Sequence, residues 1–105
     1  MRIFAGKTTD FSEGKIITVW VGPHSLAVVR ANGKLCAFHS ECPHRGAQLA
    51  QGNLEGTQIT CPWHAWQFDV ATGKGLTNPH ARLTLAPVFI EGDSVFLEVP
   101  DEWTG

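Results

Sequence analysis

Two cysteines and two histidines within one glycine-studded stretch could do chemistry together. They are Cys42-Pro43-His44 and, after residues 45–60, Cys61-Pro62-Trp63-His64. Thiolate sulfur and imidazole nitrogen are ligands for transition metals, and two tight Cys–His pairs form a metal-binding pattern. The bland alternative is two buried cysteines and two loop histidines that share no ion. Zinc comes first among the metals, because two thiolates and two imidazoles are one of its usual structural shells. Structural zinc sites, however, generally separate the members of a pair by two or more residues. A C-x-H pair must fold back sharply to bring both side chains to one tetrahedral ion. If each loop instead gives its cysteine to one iron and its histidine to another, that strain disappears. A two-iron, two-sulfide cluster in which two imidazoles replace two thiolates meets this description.

Such a ligand set works only if a rigid base holds both loops. At 105 residues the chain is expected to form a single domain, residues 1–105, with one core. Hydrophobic residues make up 43% of it, enough for that core. Charged residues are only 17% and the net charge is −2, so no basic field favours nucleic acid. The longest apolar runs are strand-sized, too short for a membrane span. The opening MRIFAGKTTDF lacks the apolar stretch of a secretory signal. Three cysteines, only Cys36 of them outside the quoted stretch, suit metal binding or a reducing compartment better than a disulfide scaffold. A cytoplasmic protein is the expectation.

The base itself reads as short strands between turns. Ile16-Ile17-Thr18-Val19-Trp20-Val21 is rich in β-branched residues, and the turn Gly22-Pro23-His24-Ser25 leads into the apolar residues 26–29. Asn32-Gly33 is a strong hairpin signal before residues 35–38. Residues 86–90 and 94–99 flank Glu91-Gly92-Asp93 as a second hairpin. No segment keeps a helical period over ten residues, and no internal repeat or linker is visible. The expected fold is all-β, a sandwich or small barrel of short antiparallel strands. The ligand stretch is an insertion on it, a subdomain at about residues 39–70. Within that insertion Leu54-Glu55-Gly56-Thr57 reads as a turn into the strand Gln58-Ile59-Thr60, and Gln67-Phe68-Asp69-Val70 as a returning strand. Both Cys–His pairs then sit at loop tips beside hairpins.

The stretch resembles the Rieske 2Fe–2S family, through both ligand pairs, Gly46 after the first and Phe68-Asp69 after the second. The similarity extends over the β scaffold. It implies that Cys42 and Cys61 bind a buried iron while His44 and His64 bind an outer iron through Nδ1. It also implies a third, proline-bearing loop over the cluster, placed here at Asn78-Pro79-His80. Ala65 stands where the family usually has glycine. Respiratory and photosynthetic members join their loops by a disulfide, at positions held here by Ala47 and Trp63. Their serine and tyrosine donors to the cluster are replaced by Trp66 and Phe68. Fewer donors leave the reduced cluster less stabilised, so the potential is expected near the lower end of about −150 to +300 mV.

The resemblance therefore implies a Rieske-type ferredoxin with one 2Fe–2S cluster, a carrier and not an enzyme. It would take electrons from an NAD(P)H-dependent flavoprotein reductase and pass them to a terminal oxygenase, typically one acting on aromatic substrates. Rival readings are the small subunit of a nitrite reductase, a Rieske piece of a catalytic oxygenase, and a zinc-stabilised interaction domain. Among the remaining residues, Cys36 is expected to be buried packing, His24 a solvent-facing turn residue, and His39 an ordinary polar residue that could support the first loop. Pro43 and Pro62 are expected to stiffen the loops. Trp66 is expected to shield the cluster, and Trp63 either to shield it or to face a partner. Glu41, Glu55 and Asp69 could form an acidic rim, with Arg45 the only basic residue near the cluster, but they read equally well as scattered surface charge.

Overall fold

The structure is a computed structural model, and it describes residues 1–40, 49, 52–62, 65–78 and 80–103. Ten strands follow in chain order. They are β1 (Arg2–Lys7), β2 (Ile16–Val21), β3 (His24–Ala31), β4 (Lys34–His39), β5 (Asn53–Glu55), β6 (Gln58–Thr60), β7 (Gln67–Asp69), β8 (Leu85–Ala86), β9 (Val88–Glu91) and β10 (Ser94–Glu98). Single 3-10 turns lie at Thr8–Asp10 and Asp101–Trp103. Among the described residues every pairing between these strands is antiparallel.

β3 explains the architecture. Side chains along a strand alternate between faces, so a strand that is apolar at consecutive positions must be covered on both. Leu26 and Val28 enter one hydrophobic cluster with Phe11, Val95, Leu97 and Val99. Ala27, Val29 and Ala31 enter a second with Leu49, Ile59, Cys61 and Phe68. β4 divides the same way, with Leu35 and Ala37 against the first cluster and Cys36 and Phe38 against the second. The sheet β2-β3-β4-β8 is thus a middle layer, with β1-β10-β9 over one face and β5-β6-β7 over the other. Phe38 and Phe68 are fully buried where the middle layer meets the small sheet, and burying each stabilises by about 2–3 kcal/mol.

Local chemistry sets the register. The β3–β4 turn has Asn32 at φ 52° and Gly33 at φ 78°, the left-handed pair that a two-residue hairpin requires. The Glu13 carboxylate accepts from the Asn32 and Gly33 amides, each at 2.8 Å, and ties the turn to the preceding loop. The run at residues 86–90 is not one strand. Pro87 has no N–H to give a ladder, and the chain changes sheets there: β8 pairs with β4 and β9 with β10. β1 was not foreseen. Its sequence mixes charge and glycine, and it carries a register shift between Phe4 and Gly6. Leu54 and Glu55, read as part of a turn, belong to β5, and the turn shrinks to Gly56-Thr57.

Candidate metal centre

The small sheet holds the root of the second ligand loop. Thr60 pairs with Gln67, so Cys61 and Trp66 face each other one step beyond the ladder, and the Cys61 amide donates to the Trp66 carbonyl at 2.7 Å. That bond closes a loop of residues 62–65. Ala65 turns it with φ 55°, a left-handed conformation that costs a non-glycine residue about 1 kcal/mol. Here the replacement of glycine noted in the sequence has its structural cost. Two positions after Ile59, Cys61 points to the same side of β6 and is only 2% exposed, within the cluster of Leu49, Ile59 and Phe68. Trp66 packs against that cluster too.

The first loop is rooted in the middle sheet. Ser40, fully buried, directly follows β4; its amide donates to the Ser25 carbonyl at 3.2 Å, and the two serine hydroxyls are hydrogen-bonded. The Leu49 amide donates to the Ser40 carbonyl at 2.7 Å, so residues 41–48 leave and return at one hydrogen-bonded pair. The Gly52 amide then donates to Leu49 at 2.9 Å. A Cβ on Gly52 would lie 2.1 Å from the Thr60 carbonyl oxygen, so the returning limb presses against β6 one residue before Cys61. The roots of the two loops are therefore in contact.

A third segment is strapped to the residue just after the second loop. Leu76 donates its amide to the Gln67 carbonyl at 2.8 Å, and the Gln67 amide donates to Thr77 Oγ1 at 3.2 Å. Asn78 tightens the turn by accepting from the His80 and Ala81 amides. Gly75 is required there, since a Cβ would sit 2.1 Å from the Asn78 carbonyl oxygen. Of the residues singled out in the sequence, Glu41, Cys42, Pro43, His44, Arg45, Gly46, Ala47, Trp63, His64 and Pro79 lie outside the described residues.

Other expectations meet the structure directly. Cys36 is buried in the core, and burial above all holds its thiol pKa up, Lys34 nearby opposing and Asp69 adding to it. It is a packing residue. Asp69 serves its own turn, accepting from the Ala71 amide at 2.8 Å. His24 is not a turn residue: it opens β3 opposite Val21, half-buried, with its ring stacked on Trp103 at 4.3 Å. The reason is the tryptophan, which gives the imidazole a flat apolar partner. His39 leans on the other side of the story, tilted against the same Trp103 at 4.7 Å, its pKa lowered by burial and then by His24. Nothing in the spacing of the sequence pointed to Trp103, Gly52 or Gly75; only contact across the fold reveals them.

A Rieske cluster fits what is described. Two ferric ions, two sulfides and two thiolates sum to no net charge with neutral imidazoles. Such a group tolerates an apolar wall of Leu49, Ile59, Phe68 and Trp66 that would penalise a charged one. Known proteins agree with the geometry. Residues 1–89 match the family described as the Rieske [2Fe-2S] domain. The ferredoxin component of the naphthalene 1,2-dioxygenase/salicylate 5-hydroxylase systems of Ralstonia sp is 36% identical over 91 residues, covering 86% of this chain and 88% of that protein. The ferredoxin subunit of 3-phenylpropionate/cinnamic acid dioxygenase of Escherichia coli (strain K12) is 33% identical over 102 residues, covering 95% of each. Among solved structures, the Sphingomonas yanoikuyae B1 ferredoxin superposes with a TM-score of 0.85 at 28% identity, over 95% of this chain and all (100%) of that one. The complex of reduced oxygenase and oxidized ferredoxin in carbazole 1,9a-dioxygenase gives a TM-score of 0.84 at 31% identity, over 91% of both chains. With its two loop roots in contact and a buried cysteine at one of them, the chain belongs to the Rieske [2Fe–2S] family, whose single cluster it carries.

Proposed function

We propose that this chain is the ferredoxin of an aromatic-ring oxygenase system, a one-electron carrier and not itself an enzyme. It would receive electrons from an NAD(P)H-dependent flavoprotein reductase and deliver them to a terminal oxygenase in the cytoplasm. The observation that carries the reading is the contact at Gly52 and Thr60 between the roots of the two segments in which the C-x-H and C-x2-H pairs lie. Relatives named as ferredoxin components of dioxygenase systems, matched along most of their length, support the carrier role. No helix among the described residues is long and apolar enough to cross a membrane.

Residues 1–105 act as one domain in this reading, with residues 39–70 as the cluster-binding part. Cys42 and Cys61 would hold one iron of the cluster and His44 and His64 the other. When bound, the cluster supplies a site that gains and loses one electron without breaking a bond. The apolar wall around Cys61 excludes water from the sulfur side. Bound iron would acidify the free N–H of each histidine ligand, so the potential would become pH-dependent only in the alkaline range. With Trp66 and Phe68 in place of hydroxyl donors, the potential lies toward about −150 mV.

Iron and acid-labile sulfide analysis is the first test, with about two of each expected per chain. Cys61→Ser and His64→Ala should each abolish the visible spectrum. One zinc without sulfide, or a spectrum that survives both substitutions, ends the ligand assignment. For the relay, the protein is mixed with NADH, a flavoprotein reductase and the oxygenase of a 3-phenylpropionate dioxygenase system. Product should form only when the ferredoxin is present. An oxygenase that turns over equally well without it removes the carrier role.

A further inference from the structure

The C-terminal turn lies beyond residues 1–89, the part that matches the family, yet it reaches back to the root of the first ligand loop. Val99 donates its amide to Met1 at 2.9 Å and Trp103 donates to Pro100 at 3.0 Å, which fixes the path of this segment. The Trp103 ring then lies between two imidazoles, stacked on His24 with an interplanar angle of 8° and tilted on His39 at 53°. His24 is the first residue of β3 and His39 the last of β4, so the ring spans the ends of both strands. The next residues in the chain are Ser25 and Ser40. Alternation along the strands sends them to the opposite face, where their hydroxyls bond to each other. Ser40 in turn receives Leu49 and closes the loop of residues 41–48. The two strand ends are thus clamped on one face by an aromatic stack and on the other by a hydroxyl pair, at the point where the loop departs.

We propose that Trp103 is a positioning residue for the root of the first ligand loop, holding the His24 and His39 strand ends in register and so fixing Ser40 and Leu49, the residues that bracket Cys42 and His44 in the chain. The role rests on the ligand assignment proposed above. Removing the ring takes away the aromatic side of the clamp, and the root opens more often. A root that opens lets the ligand geometry vary from molecule to molecule, which moves the potential and broadens the spectrum of the reduced cluster.

The test compares intact protein with Trp103→Ala, Trp103→Phe and His24→Ala. Hydrogen exchange, followed by mass spectrometry, is read on peptides covering residues 40–49 and, as a distant reference, 94–98. The midpoint potential and the low-temperature electron paramagnetic resonance spectrum of the dithionite-reduced protein are measured on the same samples. Trp103→Ala should raise exchange at residues 40–49 by about tenfold, leave the reference peptide unchanged, and shift the potential with a broadened resonance. Trp103→Phe keeps a ring to stack and should restore both. Unchanged exchange or an unchanged potential in Trp103→Ala overturns the proposal, as does a phenylalanine variant that behaves like alanine. Should Trp103→Ala not fold, His24→Ala removes one side of the stack and is judged by the same two readings. If the unsubstituted protein itself holds no iron or sulfide, the ligand assignment fails, and the exchange comparison alone decides whether the turn braces the loop.

Discussion

The two ligand loops solve one problem by different means. The second closes over residues 62–65 with one backbone bond, Cys61 to Trp66, on its own short hairpin. The first closes over twice that length, residues 41–48, between a strand end of the middle sheet and Leu49. A doubling of loop length costs only about 0.6 kcal/mol in closure entropy. That is too little to explain how differently the roots are built. What differs is directional control. In the short loop the backbone itself dictates where the ends point, at the cost of a left-handed Ala65. The root of the long loop is fixed from outside, by Ser25, by the pressure of Gly52 on Thr60, and by the ring of Trp103.

Substitution of the close-approach glycines should break this scheme most severely. A Cβ on Gly52 must displace the Thr60 carbonyl, and one on Gly75 the carbonyls of Asn78 and Ala81. Each Gly→Ala change is expected to cost about 3 kcal/mol, measured by denaturant unfolding. Gly52→Ala should also separate the loop roots and lower iron retention, whereas Gly75→Ala should loosen the strap on Gln67. Equal iron loss in the two would show that the Gly52 contact is not what joins the roots. A smaller effect of opposite sign is expected at the short loop. Ala65→Gly removes the left-handed strain and should stabilise by about 1 kcal/mol, less whatever the glycine gains in unfolded freedom. A lower melting temperature in Ala65→Gly would mean that the alanine methyl is needed there.

The smallest effect concerns pH at the first root. Burial lowers the pKa of His39 below its unfolded value, so the folded protein takes up this proton less readily. Above about pH 6.5 the ring is neutral in both states and its contribution to stability is complete. As pH falls from that value toward the lower folded pKa, the unfolded chain gains a proton that the folded one refuses, and stability drops. His39→Gln should flatten the melting temperature against pH across this window. An identical slope in the variant would assign the acid sensitivity elsewhere.

Much of this was legible in the sequence, for reasons that can be named. The Cys–His spacing pointed to a cluster because ligand chemistry is local, and the family match over residues 1–89 bears out the cluster itself. Asn32-Gly33 announced its turn because both residues tolerate a left-handed backbone. Cys36 was placed as packing because it sits in an apolar run that the fold covers on both sides. What escaped was decided by distant partners. β1 is a strand because β10 offers it a ladder, not because Arg2–Lys7 has a strand-like pattern. Pro87 hid a change of sheet inside an apparent single strand. His24 looked like a turn residue until Trp103, far along the chain, supplied a surface for its ring.

The middle layer has a consequence of its own. Because β3 and β4 are lined on both sides, the oily interior around Cys61 and the one around Phe11 and Val95 are separated by a partition one strand thick. Neither room can be rebuilt without moving the wall of the other. A methyl group trimmed at Val95 or Leu97 therefore shifts Leu26 and Val28 and, through the backbone of β3, Ala27 and Val29 on the side of Cys61.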